Sequence, residues 1–175
     1  MTTANRHGSA TVTLPSDREI LITREFDAPA ALVFEAWTTP ELVRRWWGFG
    51  DSEWLACEID LREGGRWRYV TRETRESDSF EVGFHGEYRE IDAPHRIVST
   101  EVYEGLPGGG PDSDEGAALN TIVLEEHDGV TTMSVTVLHE LEEHRDMHIE
   151  SGMESGMQVS MNRLEDLVSE MDRAA

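Results

Sequence analysis

Aromatic rings and methionine thioethers are the side chains of this sequence whose spacing points most directly to a binding site. Trp67 and Tyr69 are two residues apart in a segment that alternates as a strand does, so both face one side of a sheet. Met153, Met157 and Met161 recur every four residues and therefore share one face of a helix. Together, such faces would enclose an apolar cavity of the kind that binds small molecules.

The candidate ligand-binding residues come from the predicted strands and helices. They are Trp46, Trp54, Trp67, Tyr69, Phe84, Tyr88, Tyr103, Met133, Val135, Met153, Gly156, Met157 and Met161. Tyr88, Tyr103 or Glu101 would orient a polar group of the ligand. Ordinary core packing is the alternative interpretation of each residue, because aromatic and methionine side chains usually fill space.

Two glycines favour a cavity beside the C-terminal helix. Gly152 and Gly156 are four residues apart, and each glycine inside a helix costs about 1 kcal/mol relative to alanine. A bound molecule or a neighbouring part of the chain must therefore approach that helix face closely. A ligand and a tightly packed sheet explain this equally well.

Covalent and metal-dependent chemistry has little support in the sequence. The chain has no lysine, which excludes Schiff-base formation, pyridoxal phosphate attachment and a phosphate-loop lysine. Cys57 is the only cysteine, and no Gly-x-Ser-x-Gly motif occurs. His139 and His144 are five residues apart, which sets them about 140° apart on a helix and prevents a shared metal. His144 and His148 are better spaced but lack a third ligand, so we predict neither a metal nor a cofactor.

Arginines concentrate in one predicted hairpin. Arg66 and Arg68 face away from the aromatic residues of the same strand, and the next strand offers Glu81 and Glu87 as partners. Cross-strand ion pairs on the solvent face are the expected arrangement. The alternative is an arginine that turns into the cavity and binds a ligand carboxylate through two hydrogen bonds.

The composition indicates an acidic protein of one domain. The chain has 175 residues, of which 38% are hydrophobic, and a formal net charge of −21. That charge opposes binding to nucleic acids and anionic membranes. The first twenty residues lack the apolar core of a secretory signal, and the single cysteine agrees with a reducing compartment. We therefore predict a cytoplasmic protein that binds neither nucleic acid nor membrane.

The excess of acid and the absence of lysine have two explanations. Adaptation to a salt-rich cytoplasm is one, because salt screens the repulsion between like charges. A GC-rich genome that encodes arginine in place of lysine is the other. The sequence leaves both explanations open.

Hydrophobic patterning divides the chain into a polar segment, a series of strands and a long helix. Residues 1–17 are predicted to be a flexible tail, and residues 18–172 a single domain. The first strand spans 19–27, and two short helices begin near Pro29 and Pro40. Further strands are predicted at 52–62, 65–74, 79–92, 95–104, 118–127 and 130–140.

Helical spacing returns in the C-terminal part of the chain. Apolar residues step by three or four from about Glu142 to Met171, which predicts one continuous helix across the sheet. The segment Gly105–Gly116 is rich in glycine and acid and is predicted to be a flexible surface loop. This loop either overhangs the mouth of the cavity or is a plain connection.

Several short motifs occur in an order that resembles a known family. They are Val33-Phe34 with Ala36-Trp37-Thr38, Pro40-Glu41-Leu42 with Trp46-Trp47-Gly48, Asp60 through Gly64-Gly65 with Trp67, Gly86-Glu87-Tyr88-Arg89-Glu90-Ile91 with Pro94 and Arg96-Ile97-Val98, and Gly152-Met153-Glu154-Ser155-Gly156 with Leu164. Across residues 19–170 the sequence resembles the activator-of-Hsp-ninety-ATPase-homologue-like branch of the START-like (SRPBCC) superfamily. It departs from that pattern at Met157, where a tryptophan is common, and in its long acidic loop.

The resemblance implies an α+β helix-grip fold. In this fold a curved antiparallel sheet of six or seven strands wraps around a long C-terminal helix, and two short helices follow the first strand. The resemblance also implies a cavity for apolar or amphipathic small molecules. It implies no single activity, because the superfamily includes carriers, cyclases and regulators.

We predict a protein that binds a small hydrophobic or amphipathic molecule as a carrier, sensor or sequestering protein, without turnover. One alternative is a chaperone accessory or stress-response protein that acts through an exposed apolar surface. The other is a cyclase- or hydrolase-type enzyme that uses a cavity tyrosine or glutamate with a perturbed pKa. A chaperone and a second copy of the chain are the protein partners left open.

Overall fold

The fold is an antiparallel sheet covered by helices, seen in a computed structural model that describes residues 6–48, 51–107 and 109–175. Its elements in chain order are β1 Thr11–Thr13, β2 Glu19–Phe26, α1 Ala30–Thr38, α2 Pro40–Trp46, β3 Glu53–Ile59, β4 Arg66–Arg75, β5 Asp78–Asp92, β6 Arg96–Tyr103, β7 Ala118–His127, β8 Val130–Leu138, α3 Glu142–Glu150 and α4 Met153–Ala174.

The eight strands form one sheet in the order β1-β2-β8-β7-β6-β5-β4-β3. Every neighbouring pair is antiparallel, and buried residues of α1, α2 and α4 join the strands in one hydrophobic core. The predicted helix-grip fold is therefore confirmed, with β1 as an additional strand. None of the described helices combines the length and apolar composition needed to cross a membrane.

Strand β8 and its hairpin show how the sequence builds the sheet. Val135 and Val137 are buried in the core, whereas Thr136 between them is half-buried on the other face. Asp128 and Gly129 connect β7 to β8 with φ values of 51° and 78°. Positive φ at both positions matches the right-handed twist of the strands, so this short turn fixes their register.

The two short helices lie where the sequence predicts them. The N–H of Ala30, the first residue of α1, donates to Glu126 Oε2 of β7 at 2.9 Å. Pro40 occupies the first turn of α2, where its missing N–H leaves no hydrogen bond unmade. At the end of α2, Trp46 Nε1 donates to the carbonyl oxygen of Ala36 at 2.9 Å. This hydrogen bond joins the two helices.

The C-terminal helical region is two helices, and the prediction of one unbroken helix from Glu142 to Met171 is wrong. Helix α3 ends at Glu150, Gly152 has a φ of 80°, and α4 begins at Met153. Glycine adopts positive φ without steric strain, so Gly152 can break the helix. It therefore does not share the inner face of α4 with Gly156.

A buried ion pair fixes α4 on the sheet. Arg24 of β2 and Glu165 of α4 are both buried and form a close ion pair. Arg24 Nη1 also donates to Asn162 Oδ1 at 3.1 Å, and the guanidinium lies 5.6 Å from the Phe26 ring centroid. Because opposite charges inside a protein are costly to separate, these contacts hold the helix in one position across the strands.

Residues 6–13 of the N-terminal segment contact β2 and the residue that follows it. Strand β1 pairs with β2, with Val12 opposite Ile22. Arg6 forms ion pairs with Glu25 and Asp27, which lie in and just beyond β2. A strand of three residues is too short to show periodicity, so the sequence pattern does not reveal it.

Candidate ligand-binding site

Two adjoining cavities lie between the sheet and the helices. The inner cavity has a volume of about 230 Å³ and the outer cavity about 710 Å³. Phe84, Glu101, His148 and Met153 line both of them and therefore form their boundary. The outer volume lies within the range of small-molecule pockets, which is roughly 300–1,000 Å³.

The inner cavity is mostly apolar. Strand β4 contributes Trp67 and Tyr69, β5 contributes Tyr88, and α4 contributes Met157 and Met161. The two-residue spacing on the strand and the four-residue spacing on the helix bring these side chains to one space, as the sequence predicts. Burial raises the pKa of Tyr69 and of Tyr88, so both phenols stay protonated and can donate hydrogen bonds.

Trp47 joins the aromatic residues of the inner cavity. Its ring centroid lies 5.6 Å from that of Trp54, 5.3 Å from that of Tyr69 and 5.5 Å from that of Phe84. Trp47 follows α2 with an extended backbone, at φ −75° and ψ 142°, and its ring meets the sheet. Residue spacing predicted the neighbouring Trp46 as a lining residue but not Trp47. Gly48, which follows Trp47 and has a φ of 104°, is the sequence signal that α2 ends here and that the Trp47 ring leaves the helix surface.

Gly86 determines where the Trp67 indole lies. Trp67 of β4 is the cross-strand partner of Gly86 of β5. A Cβ atom at residue 86 would lie 1.8 Å from the carbonyl oxygen of Thr100 and 2.7 Å from Trp67 Nε1. No side chain fits there, so the indole packs directly over the backbone of β5.

Three buried polar atoms in the lining of the inner cavity have no hydrogen-bond partner among the described residues. They are Trp37 Nε1, Trp67 Nε1 and Asn120 Oδ1. A buried polar group without a partner costs about 1–3 kcal/mol. These three atoms are enclosed by neighbouring protein atoms in the cavity wall, so they do not face the open space.

Glu101 is the only carboxylate that the described residues contribute to the inner cavity. Burial raises the pKa of Glu101 from 4.5 to about 7, and a hydrogen bond with Asn120 opposes part of that rise. The side chain is half-buried, because it borders both cavities. Near neutral pH, Glu101 is therefore present in both protonation states.

The outer cavity is a groove rimmed by exposed apolar residues. Phe80, Tyr103, Leu106, Leu141 and Met147 line it and are between 38% and 50% exposed. Large apolar side chains that converge on one exposed site are typical of binding surfaces. We call this cavity the outer groove.

Described residues of the acidic loop Gly105–Gly116 lie at the outer groove. Leu106, Pro107 and Glu115 belong to the groove lining. Of the two arrangements that the sequence left open for this loop, its described part has the one at the cavity mouth. These residues therefore form part of the groove wall.

Charged groups behind β4 and β5 anchor this loop. Arg68 donates two hydrogen bonds to the carboxylate of Glu104, at 2.8 and 2.9 Å. His85 Nδ1 lies 3.0 Å from Glu104 Oε1, and its Nε2 lies 2.8 Å from the carbonyl oxygen of Ser113. His85 faces away from Phe84, as the alternation predicts, but the loop buries it. Arg68 lowers the pKa of Glu104, which keeps this anchor ionised.

Arg66 pairs with Asp114 at 3.2 Å and Arg68 with Glu104, whereas the predicted partners Glu81 and Glu87 pair with Arg72 and Arg89 among the described residues. Arg72 contacts Glu53 at 3.0 Å and Glu81 at 3.2 Å. Exposed pairs of this kind contribute about 0–1 kcal/mol each. Arg75 lies at the edge of the outer groove, and no hairpin arginine lines the inner cavity within the described residues.

Three histidines lie in the wall of the outer groove: His139, His144 and His148. His139 Nε2 and His148 Nδ1 are 3.1 Å apart and share a hydrogen bond. Burial lowers the pKa of His139 to about 4 and also lowers that of His148, so this pair is neutral at pH 7. Within the described chain, no three histidine, cysteine or acidic side chains are placed to hold a metal ion.

Eleven of the thirteen predicted ligand-binding residues line a cavity. Tyr103 lines the outer groove, and the inner cavity is lined by Trp46, Trp67, Tyr69, Phe84, Tyr88, Val135, Met153, Gly156, Met157 and Met161. Trp54 and Met133 line neither. Trp54 packs against other rings and donates to the carbonyl oxygen of Arg44 at 3.2 Å, whereas Met133 is fully buried in the core. Ligand binding by these residues stays a prediction.

Two polar residues of the inner-cavity lining were not predicted either. Ser99 of β6 and Asn120 of β7 are cross-strand partners, and both line the inner cavity. Ile97 lies two residues before Ser99, and Ile122 lies two residues after Asn120, so each pair faces the same side of the sheet and lines the same cavity. A polar residue in an inward-facing series is the signal that could have identified them.

A sheet that packs around a long C-terminal helix and encloses a cavity places this chain in the START-like class of folds. Residues 27–169 match the family described as Activator of Hsp90 ATPase homolog 1-like protein. The chain belongs to this family. No curated protein matches the sequence.

Solved structures of bacterial proteins share the fold. A Rhodobacter sphaeroides protein is 23% identical with a TM-score of 0.78, and the alignment covers 91% of this chain and 97% of that one. A Mycobacterium smegmatis protein is 23% identical with a TM-score of 0.77, covering 90% and 96%. A Staphylococcus epidermidis protein is 26% identical with a TM-score of 0.72, covering 92% and 94%.

Proposed function

We propose that this protein binds a small hydrophobic or amphipathic molecule, as a cytoplasmic carrier, sensor or sequestering protein. The apolar part of the ligand occupies the inner cavity, and its polar part lies at the boundary with the outer groove. The observation that carries this proposal is the pair of adjoining cavities, of about 230 and 710 Å³, of which the inner one is lined mainly by aromatic, methionine and aliphatic side chains. Removing apolar surface from water would stabilise the complex by about 25 cal/mol per Å².

A substitution on α4 tests this proposal. Gly156→Leu would extend a side chain into the inner cavity, whereas Val159→Leu places a leucine on the exposed face of the same helix. We expect Gly156→Leu to weaken binding of decan-1-ol at least about tenfold by calorimetry, and Val159→Leu to change it less than about twofold. Gly156→Leu should not lower the free energy of unfolding, because leucine favours the helix more than glycine does. Unfolding of this variant, or unchanged binding, would contradict the proposal.

An acid–base enzyme is the second candidate function, and Glu101 is the reason. A carboxyl group with a pKa of about 7 suits proton transfer near neutral pH. Mass spectrometry of molecules that co-purify with wild type and with Glu101→Gln separates the two functions. An enzyme would yield product with the wild type and substrate with the variant, whereas a binding protein would yield the same molecule with both.

A further inference from the structure

We infer that the ligand of this site carries a positive charge, which Glu101 and the aromatic rings beside it bind at the boundary between the two cavities. The inference rests on the proposed function and names the class of ligand as a cationic amphiphile. Its apolar chain lies in the inner cavity, and its ammonium group lies beside Glu101.

The geometry of β5 and β6 assembles a carboxylate and two aromatic rings. Glu101 and Tyr103 are two residues apart in β6 and both line the outer groove. Tyr103 is the cross-strand partner of Phe84, and their ring centroids are 5.1 Å apart with an interplanar angle of 34°. Ring faces attract cations, and aromatic residues beside a carboxylate are suited to an ammonium group.

The ionisable groups around this point favour a cation over an anion. Besides Glu101 and Tyr103, those of the outer groove are Glu73, Arg75, Glu115, Glu140, His139, His144 and His148. Those of the inner cavity, besides Glu101, are Tyr69, Tyr88 and His148. Arg75 is the only arginine in either described lining, and its guanidinium lies 5.7 Å from the Phe80 ring centroid at the groove edge. A carboxylate ligand would therefore meet more negative than positive charge, in a protein with a net charge of −21.

Glu101 differs from the acidic residues of the surface because it needs a cationic partner. Its neighbour Asn120 supplies a hydrogen bond but no charge, and burial keeps the pKa of Glu101 near 7. Ionising a half-buried carboxylate without a cation nearby is costly, and a cation bound beside it offsets that cost. An ammonium group would therefore bind most tightly to the ionised form.

Three probes of equal chain length test the inference: decyltrimethylammonium, decan-1-ol and decanoate, titrated below micelle-forming concentrations. By calorimetry at pH 8, we expect the cation to bind roughly tenfold more tightly than the alcohol, and decanoate to bind most weakly. Glu101→Gln should remove most of the cation's advantage while leaving decan-1-ol within about twofold. Glu125→Gln, which removes an exposed carboxylate of β7 that lines neither cavity, is the matched control and should have little effect.

The pH dependence gives an independent reading. A group with a pKa of about 7 is roughly one-tenth ionised at pH 6 and nine-tenths at pH 8. Cation binding to the wild type should therefore weaken about five- to tenfold between pH 8 and pH 6, and that change should vanish in Glu101→Gln.

The outcomes separate this inference from the proposed function. Equal binding of the three probes, or tighter binding of decanoate, would overturn the inference and leave a cavity that binds apolar guests. A cation preference that survives in Glu101→Gln would show that Glu101 does not bind the cation, which would also overturn the inference. Failure of all three probes to bind would overturn both proposals.

Discussion

Replacement of Glu101 by glutamine should change how stability depends on pH, even without a ligand. In the unfolded chain this carboxyl group titrates near 4.5, and in the folded protein burial raises its pKa to about 7. Between these values the folded state holds its proton more tightly than the unfolded state does. Stability from this group is therefore complete below pH 4.5, falls as the pH rises, and is lost above pH 7.

The size of the effect follows from the pKa shift. One pKa unit corresponds to about 1.4 kcal/mol, so a rise from 4.5 to about 7 sets an upper value of about 3 kcal/mol. The residue is half-buried, and water in the cavities reduces this penalty. We therefore expect Glu101 to lower the free energy of unfolding by about 1–3 kcal/mol between pH 4.5 and pH 8. This is a large fraction of the stability of a domain.

Urea unfolding of the wild type, Glu101→Gln and Glu115→Gln at pH 4.5 and pH 8 measures this difference. From pH 4.5 to pH 8, the free energy of unfolding of the wild type and of Glu115→Gln should fall by about 1–3 kcal/mol more than that of Glu101→Gln does. All other titrating groups are common to the wild type and Glu101→Gln and cancel in the comparison. Parallel pH dependence in these two proteins would refute the burial that the structure gives to Glu101.

Further substitutions test the remaining structural claims by urea unfolding. Arg24→Met should lower the free energy of unfolding by about 3–5 kcal/mol because it leaves Glu165 buried without a partner. Adding Glu165→Leu should recover much of that loss. A double variant as unstable as the single one would argue against this account. Trp46→Phe should cost about 1–3 kcal/mol through the lost hydrogen bond to Ala36, and no change would contradict that contact. Burial lowers the pKa of His139 from 6.5 to about 4, so stability should fall as pH drops through this range, and His139→Gln should flatten that fall. Molar salt should raise the urea midpoint if the charge of −21 reflects salt adaptation, whereas an unchanged midpoint would discard that explanation.

Local patterns were sufficient to predict most of the fold. Alternation along β8 and the turn chemistry of Asp128 and Gly129 fix a hairpin whose bounds depend on neighbouring residues alone. The break at Gly152 was not predictable in this way. Ile149 and Met153 are four residues apart, so the apolar stripe continues across the break and hides it.

The candidate site depends more on tertiary arrangement. Alternation placed Trp67 and Tyr69 correctly, but strand β3 has a register shift between Trp54 and Ala56, so counting by two fails there. Met133 follows the inward series of β8, yet it pairs with the buried Arg24, and no cavity reaches it. Cavity volume and the pKa of a buried carboxyl group depend on how far apart packed elements stand, which residue spacing does not encode.

The most direct test of the account is nuclear magnetic resonance of methionine methyl groups during addition of decan-1-ol. Met153, Met157 and Met161 line the inner cavity, whereas Met133 is buried away from it and Met171 lies near the end of α4. We predict that the resonances of the first three shift with a common affinity while those of the other two stay in place. Unchanged resonances for Met157 and Met161 at saturating alcohol would show that no guest enters the cavity, which would contradict the central claim.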